Sequence, residues 1–116
     1  MKHFWHCIAL AALLGAVVSA QDEPKKITRA AALSAVATEV QPDYPPVARQ
    51  LRVQGTVELQ VLVAETGEVL KVDIVSGNPL FTGPSAQAVK RWKFKPFVEN
   101  GKPIRVLAPV TVDFKM

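Results

Sequence analysis

The chain has 116 residues, with 14 Lys or Arg against 10 Asp or Glu and a formal net charge of +4 at pH 7. This length supports one small domain with a single core and excludes two. The mildly basic balance favours solubility and, in an exported protein, weak contact with anionic envelope polymers; it does not indicate nucleic-acid binding.

Residues 1–20 have the pattern of a secretory signal peptide. Lys2 gives a basic start, an apolar run extends from Ile8 to Val18, and the small-residue triplet Val18-Ser19-Ala20 predicts cleavage directly after it. The apolar run is shorter than the roughly 20 residues that a membrane-spanning helix needs. We therefore expect an exported protein that begins at Gln21, with retention of this segment as an inner-membrane anchor as the alternative.

Export would remove every thiol and imidazole from the chain. The single cysteine, Cys7, and both histidines, His3 and His6, lie within residues 1–20. The remaining chain is unable to form a disulfide, a zinc site with nitrogen or sulfur ligands, or a histidine-activated nucleophile. Its carboxylates are dispersed, and the glycine-rich phosphate-binding patterns are absent from its sequence. We therefore expect a non-enzymatic protein without a metal or cofactor.

Residues 21–40 are predicted to form a flexible N-terminal arm ahead of a domain at residues 41–116. The arm begins with a polar stretch that contains a proline, which is typical of a frayed terminus. The alanine-rich stretch Ala30–Ala37 favours a helix, but the β-branched residues Thr28 and Thr38 weaken that pattern.

The domain is expected to open with an extended segment and a short helix. In Gln41-Pro42-Asp43-Tyr44-Pro45-Pro46, each residue before a proline is restricted to extended conformations. Pro46 then begins a helix of about two turns, in which Val47, Ala48 and Leu51 form an apolar stripe.

Residues 56–64 and 69–75 predict an antiparallel hairpin. Every second residue of the first segment is apolar, and the turn contains a glycine where hairpin loops require positive φ. The return strand is expected to point Leu70, Val72 and Ile74 toward the core.

A second helix is expected from about Gly83-Pro84-Ser85 to Phe94. The proline lies in the first turn, where its missing N–H is not needed. Ala86, Val89 and Trp92 recur every three residues and would face the sheet.

The C-terminal segment predicts a long strand over residues 104–114, in which apolar residues alternate with polar ones. Pro109 lacks an N–H, so this stretch must lie at an edge, at a bulge or on the unpaired side of its neighbour. We expect an α+β domain with a three-stranded antiparallel sheet and two helices packed on one face, in the order helix-strand-strand-helix-strand. An open edge of the last strand would accept another strand.

Short motifs occur in a fixed order along the domain: Tyr44-Pro45, Gly55-Thr56-Val57, Trp92-Lys93-Phe94-Lys95-Pro96, Asn100-Gly101-Lys102-Pro103 and Val112-Asp113-Phe114. Each is weak alone, but together they are specific. Through them, residues 40–116 resemble the C-terminal domain of the TonB family.

The resemblance implies a periplasmic domain that binds an extended peptide of an outer-membrane receptor, or of another envelope protein, by β-strand addition at the last strand. The implied contact residues are Gln41, Pro42, Tyr44, Arg105, Val106, Leu107, Ala108, Val110 and Thr111. Tyr44 is equally suited to be a core anchor.

Two alternatives use the same sequence features. The edge that accepts a foreign strand can instead pair with a second copy of the chain and give a homodimer. An uncleaved N-terminal helix would make the chain a short membrane-tethered adaptor. An energy transducer of the family needs a transmembrane helix and a long proline-rich spacer; residues 1–40 show neither pattern, so force transmission is not expected.

Overall fold

The computed structural model describes residues 23–116, and the predicted signal peptide lies outside these described residues. Within this range the helices are α1 (Arg29–Ser34), α2 (Pro46–Gln50) and α3 (Pro79–Lys90). The strands are β1 (Lys25–Lys26), β2 (Val36–Thr38), β3 (Gly55–Val63), β4 (Val69–Ser76), β5 (Lys93–Phe94), β6 (Phe97–Glu99), β7 (Lys102–Ile104) and β8 (Val106–Phe114).

The centre of the fold is a four-stranded sheet with the order β1-β8-β3-β4. β3 pairs antiparallel with both β4 and β8, whereas β1 pairs parallel with β8. Two small ladders, β2 with β5 and β6 with β7, lie beside it. The α+β class is confirmed, but the expected sheet of three strands with two helices is corrected to four strands and three helices.

The additional strand and helix come from the segment that was expected to be a flexible arm, whose residues 25–38 form β1, α1 and β2. Thr28, which weakens a helical pattern by propensity, is the N-cap of α1, where its Oγ1 accepts a hydrogen bond from the Ala31 N–H at 3.1 Å. Ala32 is fully buried against the core. A hydroxyl cap and one small buried side chain therefore hold α1 in place without an apolar period in the sequence.

The predicted hairpin of residues 56–64 and 69–75 is confirmed as β3 and β4. Its ladder is interrupted twice, between the Glu58 and Leu59 rungs and between the Leu62 and Val63 rungs. The second interruption displaces Leu70 from the regular alternation and leaves it 53% exposed, so its expected inward orientation is wrong.

The predicted long strand is shorter than expected at its start. Asn100 and Gly101 have positive φ values of 53° and 77°, which turn the chain back so that Ile104 pairs with Phe97 in the β6–β7 hairpin. β8 then begins at Val106 and pairs with β3 through all nine of its residues.

The helix that the sequence predicts from about Gly83-Pro84-Ser85 is α3, which begins earlier than expected, at Pro79. Asn78 caps α3, with its side-chain oxygen accepting a hydrogen bond from the Leu80 N–H at 2.9 Å, and Pro79 occupies the first turn. Pro84 therefore lies inside the helix. α3 ends at Lys90, so Trp92 follows the helix and is only 3% exposed.

The core lies between α3 and the inner face of the sheet, to which β3 and β8 contribute every second side chain. Its largest fully buried side chains are Val57, Leu59, Val61, Val63, Phe81, Val89, Val106 and Val110. In α2 the expected stripe is only partly buried. Ala48 is in the core, whereas Val47 and Leu51 are exposed.

Candidate functional site

The margin of β8 opposite to β3, called the outer margin here, consists of the backbone groups of Arg105, Leu107, Pro109, Thr111 and Asp113. Hydrogen bonds from β1 identify these residues, because Lys25 N–H donates to the Arg105 carbonyl at 3.0 Å and Ile27 N–H donates to the Leu107 carbonyl at 3.1 Å. Successive residues of a strand turn their N–H and C=O groups to opposite margins, so the odd-numbered residues that follow face outward too.

Pro109 belongs to this outward set. It lies opposite Gln60 in the β3–β8 ladder, whose regular pairing continues on both sides of it. Because its nitrogen faces the outer margin, the missing N–H removes no hydrogen bond to β3. The sequence allows Pro109 to lie at an edge, at a bulge or with its nitrogen directed away from the neighbouring strand. The structure shows the third arrangement, with the nitrogen directed away from β3.

The outer margin is paired only at its beginning. β1 matches Lys25 with Val106 and Lys26 with Leu107, and no other strand within residues 23–116 pairs with this side of β8. Thr111 and Asp113 therefore present N–H and C=O groups outside any ladder of the described chain.

The opposite edge of the sheet is irregular. β4 contains both interruptions of the β3–β4 ladder. Its exposed side chains include Lys71 and Asp73, whose Nζ and Oδ1 atoms lie 3.8 Å apart. Bulges and charges are the features by which proteins protect an edge from pairing. The regular margin of this sheet is therefore that of β8, whose expected open edge is occupied by β1 at its start, and β4 is the protected edge.

Among the predicted contact residues of β8, alternation separates two groups. Val106, Ala108 and Val110 are at most 1% exposed, with side chains in the core and backbone groups directed at β3. The structure therefore places these three predicted contact residues away from the outer margin. Only the outward-facing residues of the predicted set, Arg105, Leu107 and Thr111, lie on the margin.

Tyr44 is fixed inside the domain. Its hydroxyl donates a hydrogen bond to the carbonyl oxygen of Val53. Its ring makes edge-on contacts with Phe81 and Phe114, at centroid distances of 5.6 and 5.8 Å. Of the two roles that the sequence leaves open for Tyr44, these contacts are those of a core anchor.

The other two predicted residues of this segment lie toward α3. Pro42 and Asp43 line a cleft of about 170 Å³ with α3 residues that include Gln87 and Arg91. Gln41 is exposed beside them. Since α3 packs on β3 and β4, the structure does not bring this cleft together with the outer margin of β8.

Charged side chains surround the beginning of β8. Arg105 Nε lies 2.8 Å from Glu65 Oε1, and this hydrogen bond lowers the pKa of the Glu65 carboxyl. On the other side, Lys25 Nζ lies 3.1 Å from Glu99 Oε2. Each of these side chains is about half exposed, so both pairs contribute little to stability.

Residues 40–116 match the sequence profile of the family described as the Gram-negative bacterial TonB protein C-terminal domain. The chain belongs to this family. The resemblance inferred from the ordered motifs is confirmed.

Named relatives agree with this assignment. The chain is 30% identical to protein TonB of Vibrio cholerae serotype O1 over 83 residues, which cover 70% of this chain and 34% of that protein. It is 33% identical to protein TonB of Escherichia coli K12 over 97 residues, which cover 82% of this chain and 35% of that protein. The chain thus spans about a third of the length of the curated TonB proteins that it matches.

Solved TonB domains share the fold. The TonB2 protein from Vibrio anguillarum superposes with a TM-score of 0.53 and 30% identity, covering 86% of this chain and 87% of that one. The solution structure of the Pseudomonas aeruginosa TonB C-terminal domain gives a TM-score of 0.59 at 24% identity and covers 70% of this chain and 84% of that one. The latter likeness concerns the fold alone.

Two features are absent from the described residues of this TonB C-terminal domain and the segment before it, namely a membrane-spanning helix and a metal-binding cluster. In the part of the chain that the structure describes, no helix is long and apolar enough to cross a membrane. Residues 23–116 also bring together no group of three or more His, Cys, Asp or Glu side chains that could hold a metal ion.

Sequence reasoning missed the residues that pair with the outer margin, namely Lys25, Lys26 and Ile27. A strand of two exposed lysines has no alternation that a pattern search could find. The one available signal was Thr28, a good N-cap residue placed just before an alanine-rich run.

Proposed function

We propose that this chain is a non-enzymatic, periplasmic protein-binding module that takes part in envelope transport. Its ligand would be an extended segment of an outer-membrane receptor, bound by β-strand addition to the outer margin of β8. Membership of the TonB family supports the role in envelope transport, and the predicted signal peptide supports the periplasmic location.

The observation that carries the proposal is the regularity of β8. All nine of its residues pair with β3 without a bulge, whereas the ladder between β3 and β4 is interrupted twice. A regular ladder on one side keeps the backbone groups on the other side evenly spaced. An incoming strand can therefore continue the sheet only beyond β8.

The available backbone groups limit the affinity. Beyond β1, the outer margin offers five groups: the carbonyls of Pro109, Thr111 and Asp113, and the N–H groups of Thr111 and Asp113. A net contribution of about 0.5–1.5 kcal/mol for each hydrogen bond, less the cost of ordering the peptide, corresponds to modest binding. Side chains on the outer face of the sheet, such as Leu107, would then select among peptides.

The test uses the full chain and a set of synthetic ten-residue peptides, each copied from the N-terminal segment of an outer-membrane receptor of the same bacterium. The informative variant is Thr111→Pro, which removes an outward-facing N–H but no hydrogen bond to β3. We expect at least one peptide to bind and Thr111→Pro to weaken it about tenfold, with the melting temperature little changed.

Thr111→Val is the matched control, because it keeps the N–H and the β-branched shape while it removes the hydroxyl. Binding by this variant should equal that of the parent chain. If Thr111→Pro binds as tightly as Thr111→Val, the peptide does not pair with this margin and the proposed mode is wrong.

Self-association through the same margin would compete with the peptide. Sedimentation velocity at several concentrations, with and without peptide, measures this competition. A dimer that dissociates when peptide is added would place the second copy on the same edge.

A further inference from the structure

We propose that residues 25–34, called the occluding segment here, are an internal occupant of the outer margin that a partner strand must displace. The inference rests on the proposed function and adds a regulatory step to it. The domain would then exist in a closed form, with β1 paired to β8, and an open form that binds the partner.

The occluding segment pairs with the first groups of the outer margin, which a partner strand that covers the whole margin would also use. Lys25 and Ile27 donate backbone hydrogen bonds to the carbonyls of Arg105 and Leu107. The parallel register, Lys25 with Val106 and Lys26 with Leu107, also directs the Leu107 N–H at the Lys25 carbonyl.

α1 adds a second contact between the segment and β8. It packs against β8, with Ala32 fully buried and Arg29 Nη2 3.8 Å from Glu58 Oε1 on β3. A strand that pairs along the whole outer margin of β8 would have to take the place of β1, and α1 follows β1 directly in the chain and contacts β8. The two occupants therefore exclude each other.

Pro109 limits how firmly the segment is held. In this parallel register the next rung would require an N–H from Pro109 to the Ile27 carbonyl, and proline has none. The β1 ladder must end there, and the chain turns into α1 at the next residues. Pro109 leaves the β3–β8 ladder intact. It therefore shortens the β1–β8 ladder without disturbing the rest of the sheet.

The remaining attachments of the segment are weak. β1 consists of only two residues, both of them exposed lysines. The side chains of the ion pairs Lys25–Glu99 and Arg29–Glu58 are each about half exposed, so these pairs add little stability. α1 has six residues, of which only Ala32 is buried, and Ile27 before it is partly buried against the core. An occupant held in this way can leave without unfolding the core, and the apparent affinity for a partner is reduced by the fraction of molecules in the open form.

A reversible covalent lock tests the competition within one molecule. The triple variant Lys26→Cys, Leu107→Cys, Cys7→Ser places two thiols at partner positions of the β1–β8 ladder and removes the native thiol. We expect the oxidised form to lose measurable binding of the ten-residue receptor peptides and the reduced form to bind them like the parent chain.

A second variant opens the segment instead. Ile27→Pro removes the N–H that bonds to Leu107, whereas the control Ile27→Val keeps it. Ile27→Pro should bind the peptide roughly fivefold to tenfold more tightly than Ile27→Val. Hydrogen exchange measured by NMR without peptide should become faster at the Leu107 amide and stay unchanged at the Val110 amide, which faces β3.

The outcomes separate the two proposals. Equal peptide binding by oxidised and reduced forms, or equal binding by Ile27→Pro and Ile27→Val, would overturn the competition while the proposed function stands. If no peptide binds any form, including reduced and Ile27→Pro chains, both are overturned.

Discussion

The indole N–H of Trp92 donates a hydrogen bond to the carbonyl oxygen of Val40, 2.9 Å away, and so joins the end of α3 to the start of the family domain. Close by, the Lys95 N–H donates to the Ala35 carbonyl at 2.7 Å, and β2 pairs with β5. Trp92 thus connects the first residue of the family domain with the core, and the contacts of Ala35 and β2 connect the segment that precedes the domain.

Replacement of Trp92 tests this connection. Trp92→Ala should lower the free energy of unfolding by about 3–5 kcal/mol, because it leaves a cavity in the core. Trp92→Phe keeps most of the apolar volume but leaves the Val40 carbonyl without its donor, so a loss of about 1–3 kcal/mol is expected. Urea unfolding measures both, and an unchanged midpoint for Trp92→Ala would contradict the buried placement.

Tyr44 is expected to affect stability rather than ligand contact. Tyr44→Phe removes only the hydroxyl that bonds to the Val53 carbonyl, and we expect a loss of about 1 kcal/mol in thermal or urea unfolding. Peptide affinity, measured by titration calorimetry below the melting temperature, should not change. A large loss of affinity with normal stability would show that the hydroxyl contacts the ligand.

Gly67 is required by two independent constraints. Its φ is +92°, and a Cβ at this position would overlap the carbonyl oxygen of Phe94. Gly101, with φ of +77° and open space around it, has only the first constraint. Gly101→Ala should therefore cost about 1–2 kcal/mol and Gly67→Ala distinctly more. Equal costs in parallel urea unfolding experiments would mean that the contact with Phe94 is absent.

Ser85 offers a stabilising substitution. Its Oγ is fully buried in α3 and has no hydrogen-bond partner, which makes the hydroxyl unfavourable in the folded state. Ser85→Ala should raise the free energy of unfolding by about 1 kcal/mol and the melting temperature by about 4–8 °C. The exposed Ser76 is the control, since Ser76→Ala should change stability by less than about 0.5 kcal/mol.

The Glu65–Arg105 pair gives a pH dependence with a defined sign. The pKa of the Glu65 carboxyl is lowered from its usual 4.5 mainly by the hydrogen bond from Arg105. The stabilisation is therefore complete above pH 4.5 and is lost as the pH falls through the lower pKa of the folded state.

An NMR titration of the Glu65 side chain measures this effect. We expect a midpoint below 4.5 in the parent chain and a return toward 4.5 in Arg105→Ala, with Arg105→Lys between them because it keeps the charge. The same midpoint in all three chains would show that the pair does not form in solution.

Alternation made the sheet largely predictable. The inward residues of β3 and β8 follow period two without exception, since one face of these strands meets the core and the other does not. Pro109 also identified the last strand as the one with an unpaired side.

Other features depend on information that periodicity lacks. The sequence predicts the helix start at Pro84 because Ser76-Gly77-Asn78-Pro79 is typical of a turn, whereas in the structure Asn78 caps α3 and Pro79 begins it. β1 exists only because β8 offers it a partner. The binding residues Val106, Ala108 and Val110 were predicted from family position, although alternation already assigned their side chains to the core.

The two interruptions of β4 limit what this protein can assemble into. Growth of a filament needs an accepting edge at each end of every subunit, whereas a protected β4 leaves one such edge. Pairing between identical molecules would consume that edge on both and stop at two. A concentrated solution of the open form should therefore stay free of fibrils.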